Sequence, residues 1–263
     1  MMGVRTAGPL TVRGVAVRGA AALLMTLALA TGCGASGGQS TGSAASGAVK
    51  AAVRKAEAQG IPVITINSGG ELSRAYGALT HIGQDESVAG RAVGDELDHR
   101  HRKRALCVVH EQGNVSLEDR CAGVRKAFHG TVENLDVDGT NAPASQSSVE
   151  ARLQSDKDID AIVTLGAPMA AISAKAKEEA GSSAQLATFD LNSAVVKLLK
   201  AKDVTFAVDQ QPYLQGYEAV DLLWLHKANA DVLGGGRPVL AGPALVTGKD
   251  VPKLTAYTGR GTR

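Results

Sequence analysis

AVKAAVRKAEAQGIPVITINSGG, residues 48–70, is the stretch on which the fold turns. Alanine, lysine and glutamate dominate its first twelve residues, a composition that favours helix. Gly60 supplies a stop, and PVITI follows as a short apolar, β-branched run suited to a strand. The run turns polar at Asn67 and Ser68. A helix feeding a parallel strand is normally the second half of a strand–helix unit. Yet the preceding residues 34–47, GASGGQSTGSAASG, carry neither charge nor an apolar pattern and predict no strand.

Downstream, β-rich runs alternate with helical patterns. Strands are predicted at 63–66, 79–82, 105–109, 132–137, 161–165, 186–189, 205–208 and 240–246. Helices are predicted at 48–59, 86–100, 116–129, 147–155, 169–180, 193–200 and 214–232. This rhythm predicts an α/β protein with mostly parallel sheets flanked by helices.

The 263 residues are 44% hydrophobic and 21% charged, enough for one large domain or two lobes with a real core. The net charge is +2, and the basic residues are scattered apart from HRHRKR at 99–104. That run has no aromatic interleaving and reads as a helix end, where cations complement the dipole, so no nucleic-acid partner is expected. At the N-terminus, Arg5, Arg13 and Arg18 precede AAALLMTLALA at 20–30, an apolar core too short to span a bilayer. The following ATGC resembles a bacterial lipobox, with Ala30 where leucine is usual. The resemblance implies removal of residues 1–32 and acylation of Cys33; an ordinary secretory signal is the alternative. Residues 33–47 then read as a flexible Gly/Ser tether holding the folded part outside the cytoplasmic membrane. Cys107, in a strand, and Cys121, on the next helix, fit either a disulfide or two buried thiols.

Ligands of open α/β sheets sit beyond the carboxyl ends of the strands. Those ends read Asn67-Ser68, Gly83-Gln84, His110-Glu111, Gly166-Ala167, Asp190 and Asp209-Gln210. Neutral hydrogen-bonding groups and carboxylates, with no phosphate-cradling glycine loop, suit a polyhydroxylated neutral ligand. Enzyme signatures are missing. His110-Glu111 is followed by Asn114 rather than by a second metal-binding histidine, and no Gly-x-Ser-x-Gly elbow occurs. Cys107 lies mid-strand, a poor place for a nucleophile. Neither a cofactor nor a metal is expected.

The segments GIPVITINSG, HIGQDESVAGRAVGDEL, EQGNVSLEDRCAGVRKAF, DAIVTLGAPMA, TFDLN and VDQQPYLQGYEAV, in this order, resemble type I periplasmic binding proteins. The likeness is to the ribose- and galactose-type sugar-binding lipoproteins of ABC importers, and it runs from Ala48 to about Val246. It implies two lobes joined by three crossings, with residues 48–84 and 210–236 in lobe 1 and residues 85–209 and 237–263 in lobe 2. It also implies a sugar or polyol ligand and a membrane permease as partner. Carried over position by position, Asn67 and Ser68 match a strand-end pair that bonds sugar hydroxyls, and Gln84 and Gln210 match positions at two crossings. Glu111 lines the cleft, Arg120 matches an arginine that forks onto the sugar, and Asp190 matches a carboxylate accepting from hydroxyls. Gly166 stands where many relatives carry asparagine. Plainer roles are open for the same residues. Asp190 suits a helix N-cap, Arg120 a surface pair with Glu118 or Asp119, and Asn67-Ser68 a turn.

The same resemblance implies strand, helix, strand, helix, strand before residue 48, a block this sequence lacks. Lobe 1 is therefore expected to be incomplete, with two confident strands, 63–66 and 79–82. Such a sheet buries its apolar faces poorly. Aromatic residues make up only 3% of the chain. Phe189, Tyr213 and Tyr217 remain as candidates to stack on a sugar, so affinity is expected to be much weaker than in a complete relative, or absent. Two other readings stay open: a sensor or interaction module for a membrane receptor, and a degenerate binding protein without ligand affinity.

Overall fold

The computed structural model describes residues 41–263. The signal segment, Cys33 and the first part of the tether lie outside the described residues. Helix α1 (Thr41–Ala58) begins inside the stretch expected to be a loose tether. Once the alanine-rich part has nucleated, each added residue costs only its own propensity, and alanine costs least.

The chain continues through β1 (Ile64–Asn67), α2 (Gly70–Tyr76), β2 (Thr80–Gly83), α3 (Glu86–His99) and β3 (Arg104–Val109). There follow α4 (Val115–Ala127), β4 (Thr131–Asp136), α5 (Ala142–Ser155), β5 (Ala161–Thr164) and α6 (Ala167–Glu179). The last part comprises β6 (Gln185–Phe189), α7 (Ser193–Ala201), β7 (Phe206–Asp209), α8 (Pro212–Asn229), β8 (Val239–Leu240), β9 (Ala244–Thr247) and α9 (Val251–Gly259). Two helices, α2 and α9, were not expected from the sequence. At seven residues α2 is too short to display a helical period clearly, whereas α9, at nine residues, matches the predicted helix α7 in length and was simply not read.

The strands form two sheets, one ordered β1-β2-β8 and the other β4-β3-β5-β6-β7-β9. All pairings are parallel except β7–β9. In the six-stranded sheet, alternate residues face opposite sides, as the strand period requires. Leu106, Val108, Ile162 and Leu186 pack with α5, α6, α7 and α9. Cys107, Val109, Val163, Phe189 and Val208 pack with α3 and α4. Lobe 2 is thus covered on both faces, which a parallel sheet needs.

Lobe 1 has a third strand that the sequence reading placed elsewhere. The predicted strand 240–246 is broken: β8 joins the small sheet beside β2, whereas β9 pairs antiparallel with β7. Pro243, between them, has no N–H to give a ladder, and the Ala241 N–H still donates to the Gly83 carbonyl at 2.7 Å. The third crossing therefore falls at residues 241–243 rather than near Gly236. All three crossings meet there, because a Cβ on Gly242 would stand 3.0 Å from the Asp209 carbonyl and 3.2 Å from Gln84 Oε1. Among the described residues β1 is an edge strand, and its Ile66 is 45% exposed. On one face of this sheet Ile82 packs with Ala219 and Leu222 of α8; near α1 and α2, Val53, Tyr76 and Ala78 pack together.

Helices α3 and α4 approach to backbone contact. A Cβ on Gly123 would lie 2.6 Å from the Ser87 carbonyl oxygen and 2.9 Å from Gly90 Cα. This crossing brings the first turn of α3 against the middle of α4. Cys107 and Cys121, both fully buried, are joined in a disulfide with Cα atoms 6.0 Å apart, tying α4 to β3. Two arginines of the HRHRKR run are held by carboxylates. Arg100 bonds Glu96 at 2.7 Å and lies over the Phe206 ring, and Arg104 pairs with Asp156 at 2.8 Å.

Candidate ligand-binding site

The order of the large sheet reverses at β3, whose chain successor β4 lies on one side while β5 lies on the other. Such a switch point opens a crevice at the carboxyl ends of the strands. The registers pair Val108 with Thr164, Thr164 with Thr188 and Phe189 with Val208. Carried on past the strand ends, they set His110, Gly166, Asp190 and Asp209 in one row. A cavity of about 580 Å³ lies over this row, closed on the other side by Ile66, Asn67 and Ser68 of lobe 1.

Six of the seven expected ligand residues line it: Asn67, Ser68, Glu111, Arg120, Asp190 and Gln210. They come from both lobes and from far-apart stretches of chain. Asn67 ends β1 with φ 74°, a left-handed conformation asparagine tolerates. Its N–H donates to Gln215 Oε1 at 3.0 Å, and Gln215 Nε2 donates to the Gln210 carbonyl at 2.8 Å. The buried Gln215 thereby clips the lobe 1 strand end to the second crossing. Glu111 accepts from Asn114, which also caps α4.

Arg120 is buried and held on three sides. Its Nε and Nη2 donate to the two oxygens of Glu86 at 2.6 and 3.0 Å, and Nη1 donates to the Leu165 carbonyl at 2.8 Å. Its guanidinium carbon lies 4.6 Å from the centre of the Phe189 ring. Three of the five N–H groups a guanidinium carries are used in this way, and Arg120 also lines the cavity. The surface pair with Glu118 or Asp119 does not form; Glu86, delivered by the α3–α4 crossing, takes that place. Phe189 is fully buried and supports the arginine rather than offering its face to a ligand. Tyr213 and Tyr217 line a separate groove with Gln211, Glu218 and Arg263. No aromatic ring among the described residues lines the cavity apart from the imidazole of His110.

Gln84 is the expected residue that does not reach the cavity. Its side chain turns into the crossing layer and donates to Glu86 Oε2 at 3.0 Å. It stands behind Arg120, one partner removed. Asp190 is not an N-cap either, since Asn192 caps α7. Asp190 sits at φ 70° and accepts from Gln210 Nε2. Burial pushes its carboxyl above the ordinary aspartate value, against the pull of Arg120 and of the Gln210 bond. Beside it, burial pushes the His110 imidazole below its ordinary value. Arg120 adds to that fall, and Glu111 and Asp190 oppose it.

His110 and Asp209 stood among the polar strand ends in the sequence, but neither was singled out as a ligand residue. Asp209 is committed elsewhere, to the Gln211 N–H and to Arg263 Nε. Gln215 lies inside a helical pattern, and nothing in its spacing marks it.

Two sheets joined by three crossings, with a polar cavity at their strand ends, define a two-lobed α/β binding protein. Residues 42–230 match the model of the periplasmic binding protein domain. A solved carbohydrate transporter from Acidothermus cellulolyticus 11B, in complex with myo-inositol, is 42% identical. The match covers 81% of this chain and 75% of that one, with a TM-score of 0.76. A glucose–galactose binding protein from Geobacillus stearothermophilus is 20% identical over 77% and 73% of the two chains, with a TM-score of 0.67. A LacI-type transcriptional regulator from Bacteroides fragilis shares the fold at 19% identity, over 79% and 74%, with a TM-score of 0.67. No curated protein matches the chain. The chain belongs to the periplasmic binding protein family.

Proposed function

We propose that this protein captures a neutral cyclic polyol or sugar outside the cytoplasmic membrane and delivers it to an ABC-type permease. One observation carries the reading: Asn67, Ser68, Glu111, Arg120, Asp190 and Gln210, from both lobes, converge on a single cavity. Its lining offers guanidinium donors, a carboxylate acceptor and amides that do both, as adjacent hydroxyls require. The inositol complex of the relative at 42% identity supports the same ligand class. Capture would bring Asn67 and Ser68 toward Arg120 and Asp190 by bending at the three crossings, and the closed form would be the one presented to the permease. Acylation of Cys33 would hold the protein at the membrane surface.

With no aromatic platform in the cavity, hydrogen bonds carry the affinity, and the dissociation constant is expected above the micromolar range. Titration with myo-inositol, glucose, galactose and arabinose, followed by amide chemical shifts, tests both points. Absence of saturable shifts at millimolar ligand would sink the capture reading. Micromolar or tighter binding would sink the expectation of weak affinity. Metabolic labelling with a palmitate analogue, lost in Cys33→Ala, tests the anchor.

A further inference from the structure

We propose that His110 is a ligand-contacting residue, whose Nε2–H donates to a hydroxyl held over Gly166 while Asp190 accepts from a neighbouring hydroxyl. The inference rests on the polyol reading above and assigns a donor to it that the family resemblance does not supply.

Three observations converge. First, His110 and Gly166 flank the switch point. The register of β3, β5 and β6, carried two residues past its last pairs, sets His110, Gly166 and Asp190 side by side just beyond the ends of three adjacent strands. Two strand spacings, about 10 Å, separate the outer two, and the central residue has no side chain. Second, the space above that glycine is bounded by both side chains. A Cβ on Gly166 would lie 3.2 Å from His110 Cε1, 3.4 Å from Nε2 and 3.7 Å from Asp190 Oδ2. On the other side, a Cβ on Gly139 would lie 3.1 Å from His110 Cδ2. Two glycines therefore form a slot that sets the imidazole plane.

Third, the ring nitrogens are unequal. Nδ1 is buried without a hydrogen-bond partner, whereas Nε2 is not sealed off in this way. A buried N–H without an acceptor is rarer and costlier than a bare acceptor. The tautomer with a bare Nδ1 and a protonated Nε2 is favoured on this ground, and it directs a donor into the cavity. Glu111, Arg120 and Asp190 are the charged groups facing the ring. Their opposing pulls leave burial as the dominant influence, which pushes the imidazole below its ordinary value and so favours the neutral ring. A neutral donor beside a carboxylate acceptor matches two vicinal hydroxyls without demanding charge on the ligand.

The test uses the full chain with myo-inositol and each monodeoxy-inositol. His110→Ala should weaken myo-inositol binding about five- to tenfold, the worth of one neutral hydrogen bond. His110→Gln, which keeps an N–H at a similar reach, should recover most of the loss. One monodeoxy-inositol should bind wild type and His110→Ala equally. Long-range nitrogen–proton correlation in the ligand-free protein should show the Nε2–H tautomer. If wild type binds myo-inositol and His110→Ala binds it as tightly, the inference fails while the polyol reading stands. If wild type binds no polyol at all, both fail. An Nδ1–H tautomer in the free protein overturns the assignment of the donor whatever the affinities.

Discussion

Glu86→Gln is the sharpest probe of how this site is held. The Glu86 and Arg120 side chains are 9% and 7% exposed, and two hydrogen bonds join them. Removing the carboxylate charge strands a guanidinium in the interior with the Leu165 carbonyl, the Phe189 ring and the ionised fraction of Asp190. Breaking one side of a buried pair costs about 3–5 kcal/mol. The remaining contacts place this case near the lower end, at about 3 kcal/mol. For a chain of this size each kcal/mol moves the melting temperature by roughly 2–4 °C, so a fall on the order of 10 °C is expected. Urea denaturation at pH 7, with unchanged slope, is the assay. A paired replacement, Glu86→Leu with Arg120→Met, should stay within about 1 kcal/mol of wild type, because two desolvated charges disappear together. A Glu86→Gln variant as stable as wild type would refute the claim that Arg120 depends on Glu86. A paired variant as damaged as the single one would show that shape, rather than charge, holds the crossing.

Gly123→Ala should destabilise by about 1–3 kcal/mol, because its Cβ has no room against Ser87 and Gly90; helix propensity alone would add about 1 kcal/mol of stability. A raised melting temperature would sink the close-contact argument. Replacing Cys107 and Cys121 together by alanine opens a loop whose ends are 14 residues apart, a loss of about 3 kcal/mol by loop entropy. Equal melts with and without reductant would contradict it. Asp190→Asn tests the pH linkage. The folded carboxyl has a raised pKa, so ionisation costs stability. The cost is absent below the ordinary value of 3.8, grows as pH rises through the folded pKa and is complete above it. The variant should therefore melt higher than wild type at pH 7, converge with it in acid, and lose polyol binding. A lower melt at neutral pH would reverse the sign.

Much of the fold was legible because the periods are local. PVITI, RALCVV and AIVT carry their strand character in consecutive side chains. The caps Asp85, Asn114, Asn141 and Asn192 are equally local, reaching two or three residues ahead, but the sequence reading did not use them. It offered Asp190 as the cap of α7 and began α5 at 147 instead of Ala142. The polar strand ends already suggested a hydroxyl-rich ligand. Five residues drawn from them, Asn67, Ser68, Glu111, Asp190 and Gln210, line one cavity with Arg120, which the family resemblance supplied. What escaped the sequence depended on distance. The break at Pro243 and the switch of β8 to the small sheet follow from Gly83, more than 150 residues away, receiving the Ala241 N–H. Glu86 finds Arg120 only because Gly90 and Gly123 let two helices touch, and Gln215 meets Asn67 across a crossing.

Residue order alone therefore determined the βα rhythm and the polar chemistry of the strand ends, because hydropathy periods act over a few residues. Tertiary structure decided which of those polar groups line the cavity and which brace their neighbours. Burial assigned Gln84 and Phe189 to support Arg120, and set His110 between two glycines at the mouth of the sheet. Such assignments depend on three-dimensional packing, in which a side chain's partners are chosen by what lies across the gap rather than by what lies beside it in the chain.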